Sequence, residues 1–310
     1  MTGAIRGPIL WVTEQPVVRR VMQGSAVGRR FAGRFVAGDS LDDGIAAARQ
    51  LAGAGIATLL DHLGENVSSG DQAAAAADAY IQAIRRSRET AGIDCIVSVK
   101  LTQLGLDTGV DVCAENMVRV LQAAEEQDPP LRVMIDMEAS EYVDRTLDVY
   151  LALRSRHPVG VALQSYLRRT AADADRIAGP DAVVRMTKGA YLEPKELAFQ
   201  RRDEVSRSYV SVTKALLERG SAVHLATHDE RLVTGAQEYL HRTGTARERY
   251  EFQMLYGIRR DLQARLVEAG EPVRVYVPYG TQWYPYLTRR LAERPANVWF
   301  FLSNALRVRG

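Results

Sequence analysis

The sequence has 310 residues, with 40 Lys+Arg against 38 Asp+Glu, a formal charge of +2, and is 46% hydrophobic and 25% charged. That charged fraction excludes wholesale disorder, and the even balance excludes a nucleic-acid binder, whose domain would carry a strong basic excess. The length exceeds the usual ~100–150 residues of one domain but suits an α/β barrel of ~250 residues with an appendage.

The opening MTGAIRGPILWVTEQP lacks the apolar core of a signal peptide, and no apolar run approaches ~18 residues. A soluble, cytoplasmic protein is therefore expected. Residues 1–45 read as a helical arm: VVRRVMQGSAVGRRFAGRFVAG is basic, glycine-interrupted and weakly periodic. Docking on the rest of the chain is the favoured role, with peripheral contact to an anionic inner-membrane surface as the alternative. Ser40, with Asp43 three residues on, makes a capping-box start for the next helix. GAGIAT at 53–58 precedes the first strand, whereas a dinucleotide loop must follow one, so it reads as a helix stop and turn.

From residue 46 to 310 short β-branched runs alternate with helical stretches. The strands are IATLLDHL (56–63), CIVSVKL (95–101), LRVMIDM (131–137), VGVALQS (159–165), AVVRMTK (182–188), AVHLAT (222–227), YEFQML (250–255) and VRVYVP (273–278). Most are apolar on both faces, as strands of a covered parallel sheet should be. Eight strand–helix units predict a (β/α)8 TIM-type barrel, expected to be distorted. A doubly wound sheet would need fewer strands and a phosphate loop after the first.

A barrel enzyme builds its site at the carboxyl ends of its strands. Those ends carry Asp61, Lys100, Asp136, Gln164, Arg185 with Lys188, Thr227 with His228, and Tyr276. Two of the chain's four lysines fall among them, in a sequence whose positive charge is otherwise arginine. In WYPYLTRRLAE, Pro285 suits a first helical turn, and Tyr286, Arg289, Arg290 and Glu293 share one helical face. An aromatic followed by two arginines describes an anion clamp, since guanidinium forks grip carboxylates and stay charged. The competing description is a solvated face with an Arg289–Glu293 pair worth ~0.3 kcal/mol. His224 and His228, four apart on one predicted strand, could with Asp136 make a metal site, but a histidine satisfied within the barrel at 224 and a ligand-contacting one at 228 are favoured, and no metal is expected. Cys95 and Cys113 form neither a disulfide framework nor a zinc spacing.

The blocks LDHLGENV, VSVKL, VMIDMEA, VALQSYL, VRMTKGAYLEP, LATHD, YEFQMLYG, VYVPYG and WYPYLTRRLAERPANVWFF, in this order, resemble the flavin-dependent proline dehydrogenase family. The resemblance implies oxidation of L-proline to Δ1-pyrroline-5-carboxylate with FAD as cofactor and quinone as electron acceptor. It places Lys100, Arg289 and Arg290 on the substrate carboxylate, Tyr286 and Leu255 against the ring, and Tyr276 and Asp136 along the wall. Glu65 would pair with Arg289 as a gate. Arg185 would approach the flavin N5, and Gln164, Lys188, Gly189, Ala190, Tyr191, Ala226, Thr227, His228, Gln253, Glu293 and Phe300 would line the cofactor. Leu192 stands where bifunctional relatives carry tryptophan, so contacts on that side are expected to differ. A barrel plus a short arm leaves no room for a fused second enzyme, so a separate pyrroline-5-carboxylate dehydrogenase is expected downstream. The competing expectations are 4-hydroxyproline as substrate, a Schiff-base lyase or aldolase built on Lys100 or Lys188, and a barrel that binds proline without turnover.

Overall fold

The structure, a computed structural model, describes residues 26–64 and 67–293, with side chains described except at 26, 27, 31 and 289–293. Eight parallel strands close into a barrel in chain order. They are β1 (Ala57–His62), β2 (Cys95–Val99), β3 (Val133–Ile135), β4 (Val159–Gln164), β5 (Val183–Thr187), β6 (Ala222–Ala226), β7 (Tyr250–Leu255) and β8 (Val273–Tyr279). β1 pairs with β8 from Ala57↔Arg274 to His62↔Tyr279, which seals the cylinder. Every residue of β2, β3 and β4 is buried, because helices cover the outer face while side chains fill the inner one. Leu59, Val97, Val133, Val161, Val184, Val223, Phe252 and Val275 belong to one continuous core. Each such aliphatic or aromatic side chain contributes about 1.5–3 kcal/mol on burial.

The helices are α1 (Ala26–Ala32), α2 (Leu41–Ala52), α3 (Gly70–Glu89), α4 (Val110–Glu125), α5 (Val143–Leu153), α6 (Thr170–Ile177), α7 (Arg202–Glu218), α8 (Glu230–Thr243), α9 (Arg260–Glu268) and α10 (Trp283–Glu293). The capping box forms at α2: the Ser40 side chain accepts from the Asp43 N–H, and the Asp43 carboxylate accepts from the Ser40 N–H at 2.9 Å. At α3 the Ser69 side chain accepts from the Gln72 N–H, while the Gln72 side chain accepts from the Ser68 N–H and not from the cap itself. Gly53 and Gly55 carry the turn from α2 into β1, as the position of GAGIAT before the first strand implied.

The departure from a regular barrel lies at the β8–β1 seam. The helix packed on both of these strands is α2, which precedes β1, rather than the helix that follows β8. A Cβ at Gly44 of α2 would sit 3.2 Å from Leu60 and from Tyr279, so glycine lets this helix lie close against the seam. The chain entering α2 is bonded to the end of β8, Ala37 N–H to the Pro278 carbonyl and Gly280 N–H to the Gly38 carbonyl, each at 2.9 Å. α10 is left to follow β8 after residues 280–282, so its first turn stands beside the carboxyl end of the barrel. Trp283, Tyr284, Tyr286, Leu287 and Thr288 are all buried, and at 100° per residue they wrap most of the helix circumference. α10 is therefore covered on several sides, not laid on the surface by one apolar stripe. Among the described residues no helix is long and apolar enough to cross a membrane.

Candidate active site

Five charged or phenolic side chains come together inside the carboxyl-terminal half of the barrel, and two of them, Arg185 and Tyr276, sit at mid-strand and not at the strand ends where the sequence reading put them. Asp61 comes from β1, Lys100 follows β2, Asp136 follows β3, Arg185 comes from β5 and Tyr276 from β8. The Lys100 ammonium donates to Asp61 Oδ1 at 2.6 Å and lies 3.4 Å from both Asp136 Oδ2 and the Tyr276 hydroxyl. Tyr276 donates to Asp136 Oδ2 at 2.7 Å, while Ser98 and Arg185 donate to Asp136 Oδ1 at 2.6 and 2.5 Å. The Arg185 guanidinium also stands over the Tyr276 ring, 5.5 Å from its centroid. Two carboxylates thus meet two cations, which is what lets four charged groups share a largely desolvated space.

The surroundings set the charge states. Burial alone would raise the Asp136 carboxyl, but Lys100, Arg185 and the hydrogen bonds from Ser98 and Tyr276 outweigh it and hold Asp136 below the usual carboxylate range. Burial would strip the Lys100 proton, yet Asp61, Tyr276 and Asp136 push the ammonium well above its ordinary pKa. Tyr276 is pushed up by burial and then by the two carboxylates, so it stays a phenol and a donor.

Below this cluster Gln253 acts as a coupler. Its carbonyl accepts from Arg185 Nε at 2.7 Å, and a guanidinium can only donate, so the amide orientation is fixed. The Gln253 amide then donates to Glu251 Oε1 at 2.7 Å and to His224 Nδ1 at 3.0 Å. Arg274 meets both Glu251 oxygens at 2.9 Å and continues to Asp94 at the amino-terminal end of the barrel. Burial holds His224 down to about 4, so its imidazole is neutral.

The residues expected around a cofactor line the ends of β4 to β7. Gln164 donates to the Glu138 carbonyl at 2.8 Å and accepts from the Ala190 N–H at 3.3 Å, which ties the loop after β5 to β4. Lys188 is paired with Asp229 at 2.6 Å. Tyr191 is half-buried in the same loop, and Ala226 closes β6. Thr227 and His228 lie just past β6, with the Thr227 hydroxyl accepting from the Asp229 N–H. His228 Nε2 accepts from the Leu255 N–H at 2.9 Å, which places the ring proton of neutral His228 on Nδ1. His224 and His228 therefore do not share one strand, and both are engaged within the protein. Among the described residues no cluster of three or more His, Cys, Asp or Glu is arranged to hold a metal ion.

Gly189, in the loop after β5, is held to glycine by its backbone and its neighbours. Its φ of +115° is a backbone conformation that side chains rarely adopt, and a Cβ there would come 2.2 Å from the Tyr166 ring. Glycine is required at this point by the protein's own packing.

Of the proposed substrate groups, Lys100, Asp136 and Tyr276 are brought together, Leu255 ends β7 next to Tyr276 in register, and Tyr286 is buried in α10. Arg289, Arg290 and Glu293 fall on the last turns of α10, with their side chains outside the described part. Glu65 and Phe300 lie outside the described residues. Reading the sequence left Asp61 and Ser98 without a role. Both point into the barrel in register with each other, and the signal for Asp61 was a single acid inside the otherwise apolar LLDHL.

The proline dehydrogenase family profile matches residues 45–302. The chain belongs to the proline dehydrogenase family. It is 37% identical over 270 residues to proline dehydrogenase 2 of Bacillus subtilis, covering 87% of this chain and 88% of that protein. It is also 37% identical over 308 residues to the proline dehydrogenase of Deinococcus radiodurans, covering 97% and 98%. Among solved structures, proline utilization A of Bdellovibrio bacteriovorus inactivated by N-propargylglycine superposes with a TM-score of 0.75 at 23% identity. That match covers 84% of this chain but 32% of the other, so this chain spans about a third of that protein, and the likeness speaks for the barrel alone.

Proposed function

We propose that this family member oxidises L-proline to Δ1-pyrroline-5-carboxylate with FAD, hydride passing to the flavin N5 and electrons onward to a quinone. The observation that carries this reading is the balanced Asp61–Lys100–Asp136–Arg185 cluster with Tyr276 at the barrel mouth of a chain that shares the family's sequence. The donor set fits the cofactor: Arg185 Nη2 is buried without a hydrogen-bond partner, a fixed cationic donor waiting for an acceptor. Arg185, Gln164, Lys188, Gly189, Ala190, Tyr191, Ala226, Thr227, His228, Gln253, Glu293 and Phe300 would hold it. A bound flavin supplies the two-electron acceptor that protein side chains lack.

On the substrate side, Lys100 with Arg289 and Arg290 would fix the carboxylate, and Glu65 would pair with Arg289 to close the site. Leu255 and Tyr286 would exclude water around the ring methylenes. Tyr276, anchored by Asp136, would hold one edge of the ring, and its fixed bulk favours proline over 4-hydroxyproline. The proline amine must be neutral to release a hydride from the adjacent carbon, so turnover rises from neutral to mildly alkaline pH. The pyrroline product would pass to a separate dehydrogenase. Residues 46–310 would form the catalytic barrel with 1–45 as its arm, working in the cytoplasm with peripheral membrane contact to reach quinone.

A Schiff-base lyase is disfavoured by Lys100 itself: an ammonium held by two carboxylates offers no free amine for a carbonyl substrate. Purified protein should be yellow and should bleach anaerobically on addition of L-proline. Protein that takes up no flavin on reconstitution would sink the reading. Arg289→Met or Arg290→Met should each raise the proline KM by ~1.5–3 kcal/mol in binding, and an unchanged KM would remove these residues from the clamp.

A further inference from the structure

The two carboxylates that hold Lys100 are built differently. Asp136 receives Ser98, Arg185 and Tyr276 at 2.5–2.7 Å, and Lys100 only at 3.4 Å. The charged partner of Asp61 is Lys100, at 2.6 Å, the Tyr276 hydroxyl adds a weaker interaction, and its Oδ2 is buried with no hydrogen-bond partner. The Asp61 side chain is 0% exposed and that of Lys100 is 8% exposed. A carboxylate buried with one oxygen unsatisfied is costly, and such a group is kept where it does something for the site. Holding the barrel wall is not that role, because β1 and β2 are already paired by backbone register from Thr58↔Cys95 to Asp61↔Ser98.

We infer that Asp61 is the positioning residue of the substrate site: its one charge-assisted contact sets the orientation of the Lys100 ammonium and keeps it available for the substrate carboxylate. This rests on the reading of the chain as a proline oxidase, and deepens it. Three protons sit on Nζ, and the short bond to Asp61 fixes one of them, while the contacts to Tyr276 and Asp136 are long. Fixing one direction fixes the arc in which the other two can meet an anion. Without Asp61 the lysine would swing toward Asp136, the remaining carboxylate, and compete with the Tyr276 and Arg185 bonds there. The groups acting on Lys100 are Asp61 and His62 from β1, Tyr80 from α3, Asp136 and Glu138 after β3, and Tyr276 from β8. Of these, Asp61 is the leading charge that keeps the ammonium protonated against burial.

The experiment is a double-mutant cycle on the flavin-loaded enzyme with Asp61→Asn and Lys100→Met. Asp61→Asn should raise the proline KM about tenfold or more while lowering kcat much less. It should also introduce an alkaline limb into kcat/KM, as the lysine loses its proton at lower pH than in the parent. In the Lys100→Met background, Asp61→Asn should change KM no further, because its route of action is gone. Should Asp61→Asn alone fail to fold, the double variant replaces the buried pair by neutral groups and still decides the matter. Its KM matching that of Lys100→Met supports the inference. An Asp61→Asn effect of equal size with and without Lys100, or a folded Asp61→Asn enzyme with unchanged KM, overturns it. Parent enzyme that does not oxidise proline would instead defeat the functional reading, an outcome separate from all of these.

Discussion

The barrel interior holds two buried charged clusters, one at the mouth and one at the floor, joined by Gln253. At the floor Arg274 spends every nitrogen: Nε on Glu251, Nη1 on the Thr58 carbonyl and Asp94, Nη2 on Asp94. Both Glu251 oxygens are likewise engaged. At the mouth, Arg185 Nη2 and Asp61 Oδ2 are buried without partners. The same chemistry, arginine with carboxylate in a dry interior, is closed at one end and open at the other. A closed cluster holds structure, and an open one is completed by something that binds.

Glu251→Ala should test the closed end most severely. It leaves buried Arg274 with only the exposed Asp94 as counter-charge, with an expected loss of about 3 kcal/mol of stability. The measurement is chemical denaturation of the flavin-free protein, and retention of full stability would show that the floor is not the structural half. Arg185→Met should do the reverse, lowering kcat about 10²–10³-fold and weakening flavin retention while the protein still melts cooperatively. Activity near the parent level would erase the distinction between the two ends.

His224, between the clusters, gives a pH signature. Its folded pKa, held down to about 4 by burial, lies below the ~6.5 of an unfolded histidine. The unfolded chain binds the extra proton in this window, so stability falls as pH drops from ~6.5 toward 4 and levels off outside it. The contribution is on the order of a few kcal/mol, and His224→Asn should flatten that part of a Tm-against-pH curve. The smallest effect lies outside both clusters: Ser40→Ala removes the α2 capping box and should cost ~1 kcal/mol without changing KM. A changed KM there would mean that the β8–β1 seam reaches the mouth.

The barrel was legible because its signals are local. The eight β-branched runs all became strands, six of them shortened, the seventh with its bounds kept and the eighth one residue longer, and the Ser40–Asp43 pair formed the cap that its spacing announced. Lys100, Asp136, Arg185 and Tyr276 could be picked out because a charged or phenolic group in or just after an apolar strand stands apart from its neighbours. What pairs with what could not be read. Asp61 meets Lys100 and Gln253 meets Arg185 across strands far apart in sequence, and only the barrel register brings them together. The packing demand on Gly189 was hidden for the same reason, since the ring that excludes a side chain there comes from Tyr166, on another strand's loop.

The seam occupied by α2 also bears on how the chain reaches this state. β8 and the segment 37–52 come from opposite ends of the barrel sequence, yet each completes the other's packing. During synthesis the part of α2 that packs on β8 and the free edge of β1 must wait, uncovered, until the final strand has emerged. Closure is thus a late, long-range event, and the slowest folders among barrels of this design should be those with a weakened α2. A fragment begun where the family match begins, at residue 45, would cut this helix in two and leave the last strand without the surface it closes upon.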